Sequence, residues 1–239
     1  ITSVYNQRPL HITPEHQILM RYPEKQGEHV EWMESGELIT KKGYKHHGRW
    51  THAYTFPQEI IDIDTINNFS INEEFMEFLG WYFAEGWTSN NGKKAYSTNF
   101  SFADHNKSYA ERVATLGSTI VGKPIAAVLD KEKENYIVNL HSVNLAQFLA
   151  TFGKYAHNKN LPPWIITLPI NKQKAFLKGY LKGDGFRDEN GQRIGAASTS
   201  LNLIIGIRSM LHRLNIFPSF LMETAASMNT HTNIVNGHE

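Results

Sequence analysis

Two nine-residue stretches decide the fold: Phe78-Leu79-Gly80-Trp81-Tyr82-Phe83-Ala84-Glu85-Gly86 and, 99 residues further on, Leu177-Lys178-Gly179-Tyr180-Leu181-Lys182-Gly183-Asp184-Gly185. Each places small residues four apart, Gly80 with Ala84 and Gly179 with Gly183, so that on a helix they share one face about one turn apart. Glycine inside a helix costs about 1 kcal/mol relative to alanine. Close approach of a partner helix is the compensating reason. In the second stretch Lys174, Lys178 and Lys182 cover an arc of about 80°, while Phe176, Leu177, Tyr180 and Leu181 span about 140° away from them. Asp184 falls inside the apolar arc, where a carboxylate is costly unless it is paired or bound to a metal. The partial negative charge of a helix C-terminus disfavours it further.

If the two helices pack along their small residues, Glu85 and Asp184 end at one level. Two carboxylates at a pseudo-symmetric point are a hard-cation site, with water completing the shell of Mg²⁺. Set in a basic surface, they are parts of a phosphodiester hydrolase. The competing reading makes them ordinary helix-end acids beside capping glycines, Gly86 being a C′ residue.

The rest of the chain fits around this pair. Its 239 residues and 27.3 kDa allow one large domain or two ordinary ones, and 41% hydrophobic with 20% charged residues describe a folded protein. The absence of cysteine excludes disulfides, thiolate zinc sites and a cysteine nucleophile, and fits an intracellular protein. No run of 18 apolar residues and no apolar leader is found, so neither a membrane partner nor a secretory signal is expected. The net charge of +1 hides a segregation. Residues 1–77 hold 7 Lys/Arg against 12 Asp/Glu, whereas residues 78–223 hold 17 against 10. The middle of the chain is the part suited to a polyanion.

From Ile1 to about Asn68 short apolar pairs broken by proline and glycine predict β segments. A helix capped by Ser70 or Asn72 leads to Glu85. A strand pair over 94–102, a helix over 107–121, a hairpin (125–129 with 136–141) and a helix over 143–153 follow. A second helix from about Asn171 to Asp184 restarts the order, with a strand over 193–197, a Ser200-capped helix over 201–214 and a strand over 217–222. A repeat of roughly 100 residues means two related half-domains.

The paired glycine-acid helices resemble the LAGLIDADG homing endonucleases of the two-motif, single-chain kind, over residues 73–223. The resemblance implies an α+β fold of two pseudo-symmetric αββαββα halves, here about 73–165 and 170–223, the second cut short after Met222. It implies that Glu85 and Asp184 hold the metal and act as catalytic groups. The cofactor implied is Mg²⁺, with Ca²⁺ as a non-cleaving substitute and Mn²⁺ as a second option. The segment His157-Asn158-Lys159-Asn160-Leu161-Pro162 matches the family's lysine before a proline, which makes Lys159 a catalytic residue that polarises water or phosphate.

The partner implied is double-stranded DNA with a long specific target, bound by a monomer. Its contacts are expected from Lys93, Lys94, Ser97, Asn99, Ser101, Lys131, Lys133, Asn139, Arg187 and Arg193.

The flanks resemble inteins. Thr13-Pro14-Glu15-His16 is similar to their Thr-x-x-His segment, with Thr13 and His16 as splicing-like residues, and 231–237 is similar to the strand before their C-terminus. Residues 1–72 and 224–239 are thus expected to form part of an all-β splicing domain, one that lacks the nucleophile segment and the terminal His-Asn. Two other functions stay open: a cleavage-inactive DNA- or RNA-binding relative, and a splicing component acting in trans with a complementary intein fragment.

Overall fold

The computed structural model describes residues 13–24, 27–37, 49–50, 60–90, 92, 94–187, 191, 194–214, 216 and 218. The chain divides into two compact units, residues 57–216 and residues 1–56 with 217–239.

In the smaller unit β1 (Gln17–Glu24) and β2 (Gly27–Glu34) form an antiparallel hairpin, and β3 (Arg49–Trp50) pairs with the other edge of β1. The Thr13–His16 segment is a turn closed by the His16 amide donating to the Thr13 carbonyl at 3.1 Å. The Ser35 hydroxyl ties it to the end of β2 by donating to the same carbonyl at 2.7 Å. Of the strand expected over 217–222 only Pro218 is described, without strand structure, and the intein-like tail over 224–239 lies outside the described residues.

The larger unit begins earlier than the sequence suggests. Residues 60–72, expected with the β domain, pack here: the Ile61 amide donates to the Thr167 carbonyl at 2.9 Å, and Lys172 Nζ reaches Asp62 at 2.5 Å. Ile63, Ile66, Phe69 and Ile71 join the core of this unit. The boundary therefore falls near residue 57, because the apolar side chains of this stretch pack into the core of the larger unit. Within it β4 (Thr65–Ile66) and β5 (Phe69–Ser70) form a tight hairpin turned by Asn67 and Asn68, both at positive φ.

Helix α1 (Glu73–Glu85) starts at Asn72, whose side chain accepts from the Phe75 amide, and is buried on all sides over its last turns. The chain passes directly into β6 (Gly86–Asn90) and returns as β7 (Ala95–Ala103). The expected strand pair over 94–102 is thus one strand, whose partner begins at Gly86. Gly86 has φ −90° and ψ 151°, so it starts a strand and is not a left-handed C′ cap. Then follow α2 (Lys107–Val121), β8 (Ala127–Asp130), β9 (Asn135–Leu140) and α3 (Val143–Ala150). The helix expected to reach residue 153 stops at Ala150, and Gly153 at φ 120° turns the chain. The sheet runs β6-β7-β9-β8, all antiparallel, so this half has the order αββαββα.

The second half starts after a short helix α4 (Pro163–Thr167). It comprises α5 (Ile170–Gly183), the pair β10 (Gly185–Arg187) and β11 (Ile194–Ala196), and α6 (Leu201–Arg213). Its order is αββα among the described residues.

Helices α1 and α5 touch backbone to backbone. A Cβ on Gly80 would overlap the Phe176 carbonyl oxygen and lie 2.7 Å from the Tyr180 nitrogen. One on Gly179 would overlap the Glu77 carbonyl oxygen and lie 2.9 Å from the Trp81 nitrogen. These contacts exchange under the pseudo-two-fold that maps 77, 80 and 81 onto 176, 179 and 180. Around the seam pack Phe75, Phe78, Trp81, Phe83, Phe176 and Tyr180, all fully buried.

The seam also carries a buried charge. Glu77 of α1 accepts from Arg112 of α2 at 2.7 and 3.1 Å and from Lys178 of α5 at 2.9 Å. Burial alone would raise its carboxyl, but the hydrogen bonds and charges of Arg112 and Lys178 outweigh it and hold the group down at about 2.

Two outcomes are expected. Gly179→Ala forces the helices apart against backbone atoms that cannot yield and costs about 3 kcal/mol, seen as a lower urea midpoint with an unchanged slope. The folded value of Glu77 lies below its ordinary 4.5, so its ties contribute fully above about pH 4.5 and are lost as the pH falls toward 2. Glu77→Gln therefore lowers stability at neutral pH and flattens the loss between pH 4.5 and 2, measured by thermal melting across that range.

Candidate functional site

The seam delivers Glu85 and Asp184 to one place. Glu85 is the last residue of α1, and Asp184 ends α5 with φ −91° and ψ 0°. A Cβ on Gly183 would lie 2.5 Å from Ala84 Cβ and 3.1 Å from Glu85 Cγ, so the missing side chain makes room for the opposite carboxylate. Burial raises the Glu85 carboxyl, with Lys159 opposing the shift. Burial, then the charge of Glu85, pushes Asp184 up to about 6 against the opposing effects of Lys159 and Tyr180. The buried Tyr180 hydroxyl lies beside Asp184.

Lys159 joins this site but not in the expected manner. It is 6% exposed, and its ammonium donates to the carbonyls of Tyr82 at 2.8 Å, Phe83 at 3.0 Å and Gly86 at 2.9 Å. An ammonium has three protons, and all three are spent on the carbonyls at the end of α1. No proton remains for a water or a phosphate, so in this geometry Lys159 caps the helix that carries Glu85 and lends positive charge to both acids. Its own place is fixed by the Ser200 hydroxyl, which donates to its carbonyl. Burial pulls the amine down to about 8, with Asp184 and Glu85 opposing.

The donor set suits a hard cation. Two carboxylates offer oxygen ligands only, and no cluster of three or more His, Asp or Glu forms among the described residues. The two half-buried acids repel each other, and the cation beside them, Lys159, is already committed to backbone oxygens. Glu85 and Asp184 thus fit Mg²⁺ or a similar ion that keeps several waters.

Four of the expected DNA-contact residues share the sheet face that points away from the core. Strand pairing places Asn99 opposite Trp87 and Asn139, Ser97 opposite Ser89, and Ser101 opposite Ile137. Asn99 donates to Ser89 at 2.9 Å, and Asn135 donates to Ser101 at 2.8 Å. Ser97 and Asn99 are buried, so only Asn139 stands fully exposed and Ser101 half so. Lys131 and Lys133 are exposed on the β8–β9 turn, which Asp130 builds by accepting from the amides of Glu132 and Lys133. Lys94 and Arg187 are exposed on or beside the two hairpins, while Lys93 and Arg193 lie outside the described residues. Sequence reasoning missed Ser89 and Asn135, whose signal was strand alternation opposite Ser97 and two residues before Ile137. It also missed Tyr180, one turn before Asp184.

The site's charges lead to one expectation. The raised value of Asp184 means that the folded protein disfavours its charge, a deficit present above about pH 6 and gone once the group is protonated. Asp184→Asn should melt about 2–4 °C above the parent protein at pH 7.5 in EDTA, and added Mg²⁺ should stabilise only the parent.

Residues 171–237 match the family model described as a LAGLIDADG-like domain, a span that crosses the boundary expected at residue 223. The chain is similar to a DNA polymerase of Thermococcus sp. (strain GE8), 25% identical over 162 residues, which are 64% of this chain and 9% of that protein. It is also similar to the Rpo1C subunit of the DNA-directed RNA polymerase of Methanocaldococcus jannaschii, 25% identical over 152 residues, 63% of this chain and 17% of that one. A third relative is a subunit of the A-type ATP synthase of Pyrococcus abyssi, 25% identical over 62% of this chain and 14% of that protein. The chain thus spans less than a fifth of each of these relatives. Among solved structures, I-DmoI in complex with DNA and Mn superposes with a TM-score of 0.50 at 14% identity, over 66% of this chain and 86% of that one. The mesophilic variants of the homing endonuclease I-DmoI give 0.50 at 15% identity, over 65% and 80%.

Proposed function

We propose that this chain, which carries a LAGLIDADG-like segment and the fold of the LAGLIDADG homing endonucleases, is a site-specific endonuclease that hydrolyses both strands of double-stranded DNA. The observation that carries the reading is the pair Glu85 and Asp184, brought side by side by a helix seam that leaves them half-buried with unneutralised charge. Each acid closes the first helix of one pseudo-symmetric half, which matches two phosphodiesters related by the dyad of a duplex.

Glu85 and Asp184 would hold a divalent ion, which when bound would supply Lewis-acid polarisation of the phosphodiester and a water of lowered pKa. Glu85 and Asp184 fix the position of that chemistry. Lys159 holds the last turn of α1, and hence Glu85, in register. The polar outer face of β7 and β9, with Lys131, Lys133, Lys94 and Arg187 at its margins, offers the duplex phosphate and base-edge contacts and predicts strong salt dependence. The protein acts as a monomer, since both halves of the site lie in one chain.

Intein association is supported by the relatives together with the flanking segments. A DNA polymerase, one component of an RNA polymerase and one of an ATP synthase share no activity by name, yet each matches this segment over a small part of its length. A passenger carried within unrelated hosts explains that pattern.

The test is selection of cleaved molecules from a randomised duplex library with Mg²⁺ and with Ca²⁺. Double-strand cuts at a common sequence are expected with Mg²⁺ and should be lost in the Glu85→Gln, Asp184→Asn double variant. Retention of a common sequence without cutting would instead favour a DNA-binding protein that no longer cleaves.

A further inference from the structure

After each carboxylate the chain makes the same move: Glu85-Gly86-Trp87 enters β6, and Asp184-Gly185-Phe186 enters β10. Gly86 and Gly185 point into the fold. A Cβ on Gly86 would lie 2.5 Å from the Tyr82 ring and 3.0 Å from Phe100, and one on Gly185 would overlap the Leu181 carbonyl oxygen. Strand alternation then turns Trp87 and Phe186 outward. They are 42% and 58% exposed, although such rings are the side chains with most to gain from burial.

Phe186 is moreover held in place. Its cross-strand partner is Gly195, where a Cβ would collide with the ring, so the ring lies flat on the opposite strand with its other side open. Trp87 stands opposite Asn99, at the edge of the polar network of Ser89, Asn99 and Ser97. One large ring thus follows each acid, on the outward face of its hairpin. The offset sets the reach. Two residues of strand span about 7 Å, enough to carry a ring from its own carboxylate past the phosphate addressed there to an adjoining nucleotide. A ring so placed meets a nucleotide beside the phosphate that its own carboxylate addresses.

We propose that Trp87 and Phe186 are a matched pair of positioning residues, one per DNA strand, that pack against the base or deoxyribose flanking each scissile phosphate and hold that phosphate over Glu85 or Asp184. The inference rests on the endonuclease reading and adds to it which residues align the substrate. Aromatic packing on a nucleotide tolerates any base, so the pair fixes distance and orientation and leaves sequence choice to the polar sheet face.

The test uses the duplex recovered from the randomised library, labelled separately on each strand, with 2-aminopurine beside each cut. Trp87→Ala is expected to slow one strand about 10- to 100-fold and Phe186→Ala the other, so that the two variants accumulate nicked products of opposite strand polarity. In Ca²⁺ the parent protein should change the 2-aminopurine emission at both cuts, and each variant should lose the change at one. Phe186→Leu separates alignment from fold: leucine still covers Gly195, so a purely structural ring would be rescued by it, whereas a nucleotide-packing ring is rescued by Phe186→Tyr alone. Equal slowing of both strands, full activity of the alanine variants, or rescue by leucine would overturn the pair while leaving the endonuclease intact. A parent protein that retains no duplex from the library would fail the endonuclease reading itself, and this inference with it.

Discussion

The structure depends on the absence of two side chains. With hydrogen at Gly80 and Gly179, α1 and α5 approach until the backbone of each helix lies where a Cβ of the other would be. At that distance the helices have no freedom to slide, because every neighbouring side chain is fitted to the seam. Their C-terminal ends are therefore fixed relative to each other, and those ends carry the acids. Core packing and site geometry are here the same constraint, and the charged tie from Glu77 to Arg112 and Lys178 locks it further along the helices.

At the other end of the seam stability is given up. Burial and mutual repulsion work against Glu85 and Asp184, and the cation beside them, Lys159, is fully bonded to the carbonyls of Tyr82, Phe83 and Gly86. This arrangement answers a structural problem as well. The end of α1 is buried, and the chain leaves directly as a strand with no left-handed cap, the Gly86 amide donating to the Tyr82 carbonyl. A buried lysine adds donors to the Tyr82 and Phe83 carbonyls and to that of Gly86, and leaves the acids short of positive charge. Such an imbalance is what a divalent cation corrects, and it is the usual sign of a site kept for function at the expense of stability.

Much of this was legible in sequence because it was written in short-range signals. Small residues four apart, an acid inside an apolar arc and the restart of the helix-strand order are periodicities, and they gave the seam, the acids and the αββαββα first half. What escaped depended on distant partners. Residues 60–72 read as part of a β region, since nothing local shows that Ile61 bonds to Thr167 or that Lys172 pairs with Asp62. Lys159 was found by its place before a proline, but where its protons go depends on a turn more than 70 residues away. Ser97 and Asn99 have the right type and phase for a solvated face, yet Ser89 engages Asn99 from the neighbouring strand and Ser97 bonds to Asn99 in turn. Strand alternation gives a face and not the degree to which neighbours cover it.

The two acids differ in a way that the helix ends explain. Glu85 is still helical, while α5 stops at Gly183 and Asp184 has already left the helix. One residue of helix rises about 1.5 Å, nearly the length of the extra methylene in glutamate. Glutamate at 85 is longer than aspartate at 184 by one methylene, and the two helices end one residue apart in the repeat. Lys159 holds one more residue of α1 in helical form by bonding its final carbonyls, and α5 has no such lysine among the described residues. The half with the clamped helix carries the longer acid, and the half without it carries the shorter one.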